Sequence, residues 1–136
     1  MAVNRVDCPQ VVETEKYRFE RLGDGYVRFV AKAVAYGLEE AQEATVLLRA
    51  AHRAEGRRLR LIVDMRALLS FSRAARQLLQ SDEQGTNTLA TALMVDSGIS
   101  RVVGNFIIGL NRGPIPTRLF TTEEEAREWL ASVEER

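Results

Sequence analysis

LRLIV at residues 59–63, closed by Asp64, is the stretch on which the reading of the fold turns. A short apolar run with β-branched residues, ended by a charge, has the pattern of a strand buried inside a sheet. Such a strand needs helices to cover it, and the sequence supplies them on both sides. Leu38 to about Ala54 places Glu39, Glu40 and Glu43 early and Arg49, His52 and Arg53 late, an order that complements the helix dipole. Gly56 stands where that helix must stop. Further upstream, YRFERL (17–22) and YVRFVA (26–31) alternate around Gly23-Asp24-Gly25, which predicts a β-hairpin.

Downstream, Ser72 is placed to cap a second helix carrying Ala75, Leu78, Leu79 and Asp82. ATALMV (90–95) reads as a further strand, ending at Asp96. Gly98–Leu110 is expected as a helix, stopped by Asn111-Arg112-Gly113-Pro114, with a strand over 102–108 as the alternative. TRLF (117–120) is a short last strand. Thr122 and Glu125 form a capping box for a terminal helix whose Ala126, Trp129, Leu130 and Val133 share one face. The expected order is β-β-α-β-α-β-α-β-α. It implies an α/β fold with a mixed, mostly parallel sheet and helices packed on it.

The chain has 136 residues, 19 Lys and Arg against 19 Asp and Glu, one His and one Cys. That length suits one domain, expected over residues 16–136, behind a flexible leader of residues 1–15 that holds Cys8 as a reduced thiol. Zero formal net charge argues against a dedicated nucleic-acid binder. No apolar run is long enough for a membrane span, and no signal-peptide core is present, so a cytoplasmic location is expected. Cys8 and His52 do not make up a four-ligand zinc site, and neither a P-loop nor a dinucleotide fingerprint occurs. No metal and no cofactor is expected. His52, near a helix C-terminus and without a nucleophile signature beside it, is expected to be structural.

Three segments carry a family resemblance: LIVDMR (61–66), SRVVGNFIIGLNR (100–112) and PTRLFTTEEEAREWL (116–130). With the opening hairpin they make residues 15–134 resemble the SpoIIAA-like group of the STAS superfamily, and within it the small stand-alone bacterial proteins. The resemblance implies a SpoIIAA-like fold and a module acting through protein contacts. Anti-sigma-antagonist members carry a phosphorylatable serine in a D-S-S-G-type turn after the central strand. The matching region here is ALLSFSRAAR (67–76), where Ser70 and Ser72 supply hydroxyls but the glycine is absent.

Asp64 and Asp96 each end a predicted strand, and open α/β sheets bind ligands at such ends. With Arg66, Ser97, Ser100 and Arg101 they form a candidate polar rim; turn capping or pairing with Arg66 and Arg101 is the expected role of the two acids. Seven arginines between 53 and 76 (Arg53, Arg57, Arg58, Arg60, Arg66, Arg73, Arg76) suit an acidic or phosphorylated partner if they share a surface. The 98–110 stretch is apolar on more than one side. Val102, Phe106, Gly109 and Leu110 are therefore candidate interface residues, with Asn105 a polar handle, for a homodimer or for plain core packing. Three functions follow in order: a non-catalytic regulatory or scaffolding module binding a protein partner, a carrier of a small apolar or lipid-like ligand, and a hydrolase-type enzyme using Asp64 and Asp96. No catalytic residue is assigned in the first reading.

Overall fold

The structure, a computed structural model, describes residues 8–79, 81, 86–96 and 115–135. At its centre LRLIVD forms β5 (Leu59–Asp64). This strand runs parallel to both neighbours, β3 (Tyr26–Ala31) and β7 (Thr88–Met94). Beyond β7 lies β8 (Thr117–Phe120), also parallel; beyond β3 lie β2 (Tyr17–Gly23) and β1 (Val11–Glu13), each antiparallel to the last. The sheet order is β1-β2-β3-β5-β7-β8. Helix α1 (Leu38–Glu55) links β3 to β5, α2 (Arg73–Leu79) lies between β5 and β7, and α3 (Glu123–Ser132) ends the described chain. A second, two-stranded parallel sheet pairs β4 (Ala35–Tyr36) with β6 (Ser70–Phe71).

Alternation along β5 explains the layering, because successive strand side chains point to opposite faces. Leu59 and Leu61 join Phe19, Val27 and Phe29 on one face, where α1 contributes Ala41, Ala44, Leu48 and Ala51. Ile62 faces the other way and joins Ala90, Ala92 and Met94 under Ala126 and Leu130 of α3. The central strand is thus apolar on both faces because helices cover both, as its sequence requires.

The reading of residues 1–15 as a flexible leader is corrected from Cys8 onward. Val11–Glu13 adds a strand to the sheet, Val12 packs on the core, and Cys8 is only 4% exposed. Arg21 fastens this entry by donating to the Cys8 carbonyl at 2.8 Å. The charges of this entry are paired on the surface: Glu13 with Arg18 and Lys32, and Lys16 with Glu40. Strands of two or three residues, such as β1, β4 and β6, are too short to show a period, and the sequence reading omits all three.

The hairpin turn is built as expected. Asp24 and Gly25 both have positive φ (55° and 84°), the requirement of a type I′ turn. Glu55 at the end of α1 then locks the turn to the helix. Its carboxylate accepts from Gly25 N at 3.1 Å and from Arg21 Nη2 at 2.8 Å. A Cβ on Gly25 would lie 2.7 Å from Arg57 Cδ, in addition to the left-handed φ. Gly25→Ala is therefore expected to destabilise by about 1–2 kcal/mol through φ alone, more if Arg57 does not yield. Urea unfolding with an unchanged slope checks this. Gly56, at φ 72°, ends α1 by donating to the His52 carbonyl, and His52 Nδ1–H donates to Arg57 O at 2.9 Å. The only histidine is thus an end-piece of the helix.

Candidate functional site

The candidate site lies at the C-terminal ends of the parallel strands. Asp64 ends β5 beside Met94, its register partner on β7, and Met65 N donates to Met94 O at 2.9 Å. Arg66 folds back on Asp64 in a two-pronged pair: Nε to Oδ1 at 2.9 Å and Nη2 to Oδ2 at 2.8 Å. Oδ1 also accepts from the Arg66 backbone N–H at 3.1 Å. Burial works to raise the Asp64 carboxyl, yet the Arg66 bonds outweigh it and hold the group below its ordinary value. Turn capping or pairing with an arginine is the role the sequence predicts for this acid; the bond from the Arg66 N–H is the cap, and the fork is a strong bidentate ion pair. Asp96 is exposed at the end of β7, and its charge, after that of Asp64, helps to hold the Arg66 guanidinium protonated.

After Arg66 the chain makes a projecting segment. Met65 and Leu68 are anchors, 2% and 5% exposed, while Leu69 between Leu68 and Ser70 stands 58% exposed. Leu69 N donates to Val34 O and Ser72 N to Tyr36 O, so β4 supports the segment from beneath. Ser70 is exposed on β6, opposite Ala35. Ser72 has a structural task, as the sequence predicts: its hydroxyl accepts from Ala75 N at 3.1 Å and caps α2. Of the predicted site residues, Asp64, Arg66 and Asp96 thus stand at the ends of β5 and β7, while Ser70 lies on β6 and Ser72 at the start of α2. Ser97, Ser100, Arg101, Val102, Asn105, Phe106, Gly109 and Leu110 lie outside the described residues, as does the expected helix 98–110 that carries most of them.

The arginines of residues 53–76 do not share one surface. Arg60 reaches under α3, where its Nη1 donates to the carbonyls of Leu130 and Val133, the latter at 2.7 Å. Arg66 is bound to Asp64, and Arg76 donates from Nη1 to Phe71 O at 3.0 Å near the opposite face. Arg60, Arg66 and Arg76 are thus each held by a different part of the fold. Sequence reading also misses Arg28, which joins Glu20 (2.8 Å) to Glu123 (2.6 Å) and so ties β3 to the start of α3. Nothing local marks a pair separated by 95 positions. The i, i+4 pair Glu123–Arg127 is local, and it forms as predicted at 3.0 Å.

These pairs set a direction for pH dependence. Glu20 is held below its ordinary carboxylate value chiefly by the Arg28 hydrogen bond, Glu40 chiefly by Lys16, and Asp64 by Arg66 against its burial. A depressed folded-state pKa gives stability that is present above the unfolded-state value and is lost as pH falls through the folded one. Melting temperature is therefore expected to fall as pH drops below about 4.5, the ordinary glutamate value. Glu20→Gln should flatten that fall, and a thermal unfolding series against pH measures it.

On the α1 side of the sheet, Phe29, Tyr36, Leu61, Phe71 and Leu93 enclose a cavity of about 100 Å³ with Arg76 at its wall. Phe29, Tyr36 and Phe71 belong to an edge-and-tilted series of rings with centroid separations of 6.2 and 5.3 Å. Burial, followed by the Glu40 charge, pushes the Tyr36 phenol far above its ordinary range, so it stays a neutral hydroxyl. Among the described residues no helix is long and apolar enough to cross a membrane.

Comparisons with known proteins agree with this architecture. A structure of an uncharacterised protein of the DUF3478 family from Shewanella loihica PV-4, described as having a SpoIIAA-like fold, matches with a TM-score of 0.60. The match covers 84% of this chain and 91% of that one at 20% identity, and it carries the fold alone. Among curated proteins no match is found. A family model described as a domain of unknown function, DUF7793, matches residues 22–134, the span from the end of β2 through α3. The chain therefore belongs to the DUF7793 family, and its fold is SpoIIAA-like.

Proposed function

We propose that the chain is a non-catalytic regulatory or scaffolding module, and that residues 65–73, after the central strand, are the surface that meets a protein partner. The observation that carries this reading is the form of that segment. It is anchored by Met65 and Leu68 and tied to β4 by two backbone bonds, yet it holds Leu69 58% exposed. An apolar side chain fixed outward on a supported segment loses little entropy when a partner covers it. Ser70, the next residue along, is also exposed and sets a polar group beside that apolar point, as contact patches do at their rims.

The state of Asp64 favours binding over hydrolysis. A general acid needs a pKa near the working pH, and Arg66 holds this carboxyl in the opposite direction. To test the reading, a photo-crosslinking residue is introduced at Leu69 and, as control, at Val46, which is 60% exposed on α1. In the native host, adducts of one discrete mass at position 69 and none at 46 are expected. Equal labelling at both positions, or none at 69, contradicts the proposal.

The cavity beside Arg76 favours a carrier as the second reading, with a narrowed ligand. About 100 Å³ falls below the roughly 300–1,000 Å³ of drug-sized pockets, so it fits a few-atom apolar or weakly anionic molecule and not an acyl chain. Native mass spectrometry of freshly purified protein should retain such a mass if this reading holds.

A further inference from the structure

We infer that the outer edge of β8, with the groove between β8 and α3, is a self-association surface on which a second copy of the chain pairs its own β8 antiparallel about a two-fold axis through Leu119. This surface lies at the sheet edge, apart from the 65–73 segment, and is independent of it. In the sheet order β8 is terminal, and among the described residues no strand pairs with its outer side. The opposite edge, β1, carries Glu13, which two cations hold, a common way of blunting an edge. Arg118 is the one charge on β8.

Backbone geometry sets the register. Thr91 N donates to Pro116 O and Val95 N to Phe120 O, each at 2.9 Å, so the even-numbered carbonyls of this segment face β7. Successive strand residues alternate in direction, which turns the N–H and C=O of Thr117 and Leu119 toward the outer edge. With Leu119 opposite Leu119, both copies exchange two hydrogen bonds at the axis. Arg118 then stands opposite Phe120 at the non-hydrogen-bonded positions, where Cα atoms are about 4.5 Å apart and side chains lie closest. The neighbouring register, Arg118 opposite Arg118, would set like charges at that close approach.

The chemistry of the groove is self-complementary. Within one chain the Arg118 guanidinium lies 5.6 Å from the Phe120 ring centroid and 5.7 Å from that of Trp129, a seat that favours a cation. Glu125 and Glu128 line the same groove, of about 580 Å³. Among the described residues none of Arg118, Glu125 and Glu128 is in an ion pair. A partner of a single sign would meet its like on one wall. A second copy brings its cation to the acidic wall and its acidic wall to the cation, as an isologous contact requires.

Sedimentation equilibrium over a wide concentration range, at low and high salt, tests the inference. The expected result is a reversible monomer–dimer equilibrium that salt weakens. Arg118→Glu, at an exposed position, should keep a cooperative thermal transition and weaken dimerisation by about tenfold or more. In a Cys8→Ser background, Leu119→Cys should form an intermolecular disulfide on mild oxidation, because the roughly 5.5 Å Cα separation at the axis suits one. Thr117→Cys, which stands opposite Thr121 in this register, should not. A strict monomer at high micromolar concentration overturns the proposal. So does a dimer that Arg118→Glu leaves intact, or equal cross-linking at both cysteine positions.

Discussion

Leu130→Ala is expected to destabilise the protein by about 2–5 kcal/mol, toward the upper end of that range. Leu130 is the largest fully buried side chain of α3 and belongs to the second core. The cost of such a truncation depends on whether neighbours collapse into the space left behind. Ala90, Ala92 and Ala126 of the same cluster have nothing to extend, which leaves the filling to Ile62 and Met94. Loosening of the helix end also strains the Arg60 clamp, since its guanidinium donates to the Leu130 and Val133 carbonyls. Urea midpoints measure the loss. Glu124→Ala, on the exposed side of the same helix, is the control and should stay within about 0.5 kcal/mol. A Leu130→Ala variant as stable as that control would mean that α3 does not cover the sheet.

Phe19→Ala is expected to cost about 3–5 kcal/mol, a large share of the ~5–15 kcal/mol that holds a typical domain together. Phe19 is wholly buried and sits at the meeting point of the antiparallel half of the sheet, opposite Phe29 on β3 and Val12 on β1. Beside it Tyr17 stacks on Phe29 with ring centroids 4.9 Å apart. Removing the ring should therefore free β1 before it unfolds the parallel half. Amide exchange would show the loss as faster exchange at Val12 and Glu13, with β5 and β7 protected until global unfolding. Uniform loss of protection would place Phe19 in one undivided core.

The same two cores show what a sequence discloses. β5, the hairpin, α1 and α3 are legible because apolar residues repeat at the period of their element and the ends carry Gly23, Gly25, Gly56 and Thr122. The segments LIVDMR and PTRLFTTEEEAREWL likewise lie on β5 and on β8 with α3, where the SpoIIAA-like resemblance puts them. The Asp64–Arg66 pair was legible because its partners are two positions apart. Arg60 reads in the sequence as part of an arginine cluster, because nothing near it reveals a helix end 70 positions on. Leu69 carries no local mark either: beside Leu68 in ALLSFS nothing in the sequence tells the exposed leucine from the buried one. Only the tie of β6 to β4 turns it outward.

Both the contact-module reading and the small-ligand alternative regard the strand-end acid as a bound structural charge and not a reacting group. Carbon-detected NMR titration of the Asp64 carboxyl in the intact protein measures this directly. A midpoint below the ordinary aspartate value of 3.8 is predicted, rising when Arg66 is replaced by methionine. A midpoint shifted upward toward neutrality would contradict the account, and would give Asp64 the titration of a catalytic acid.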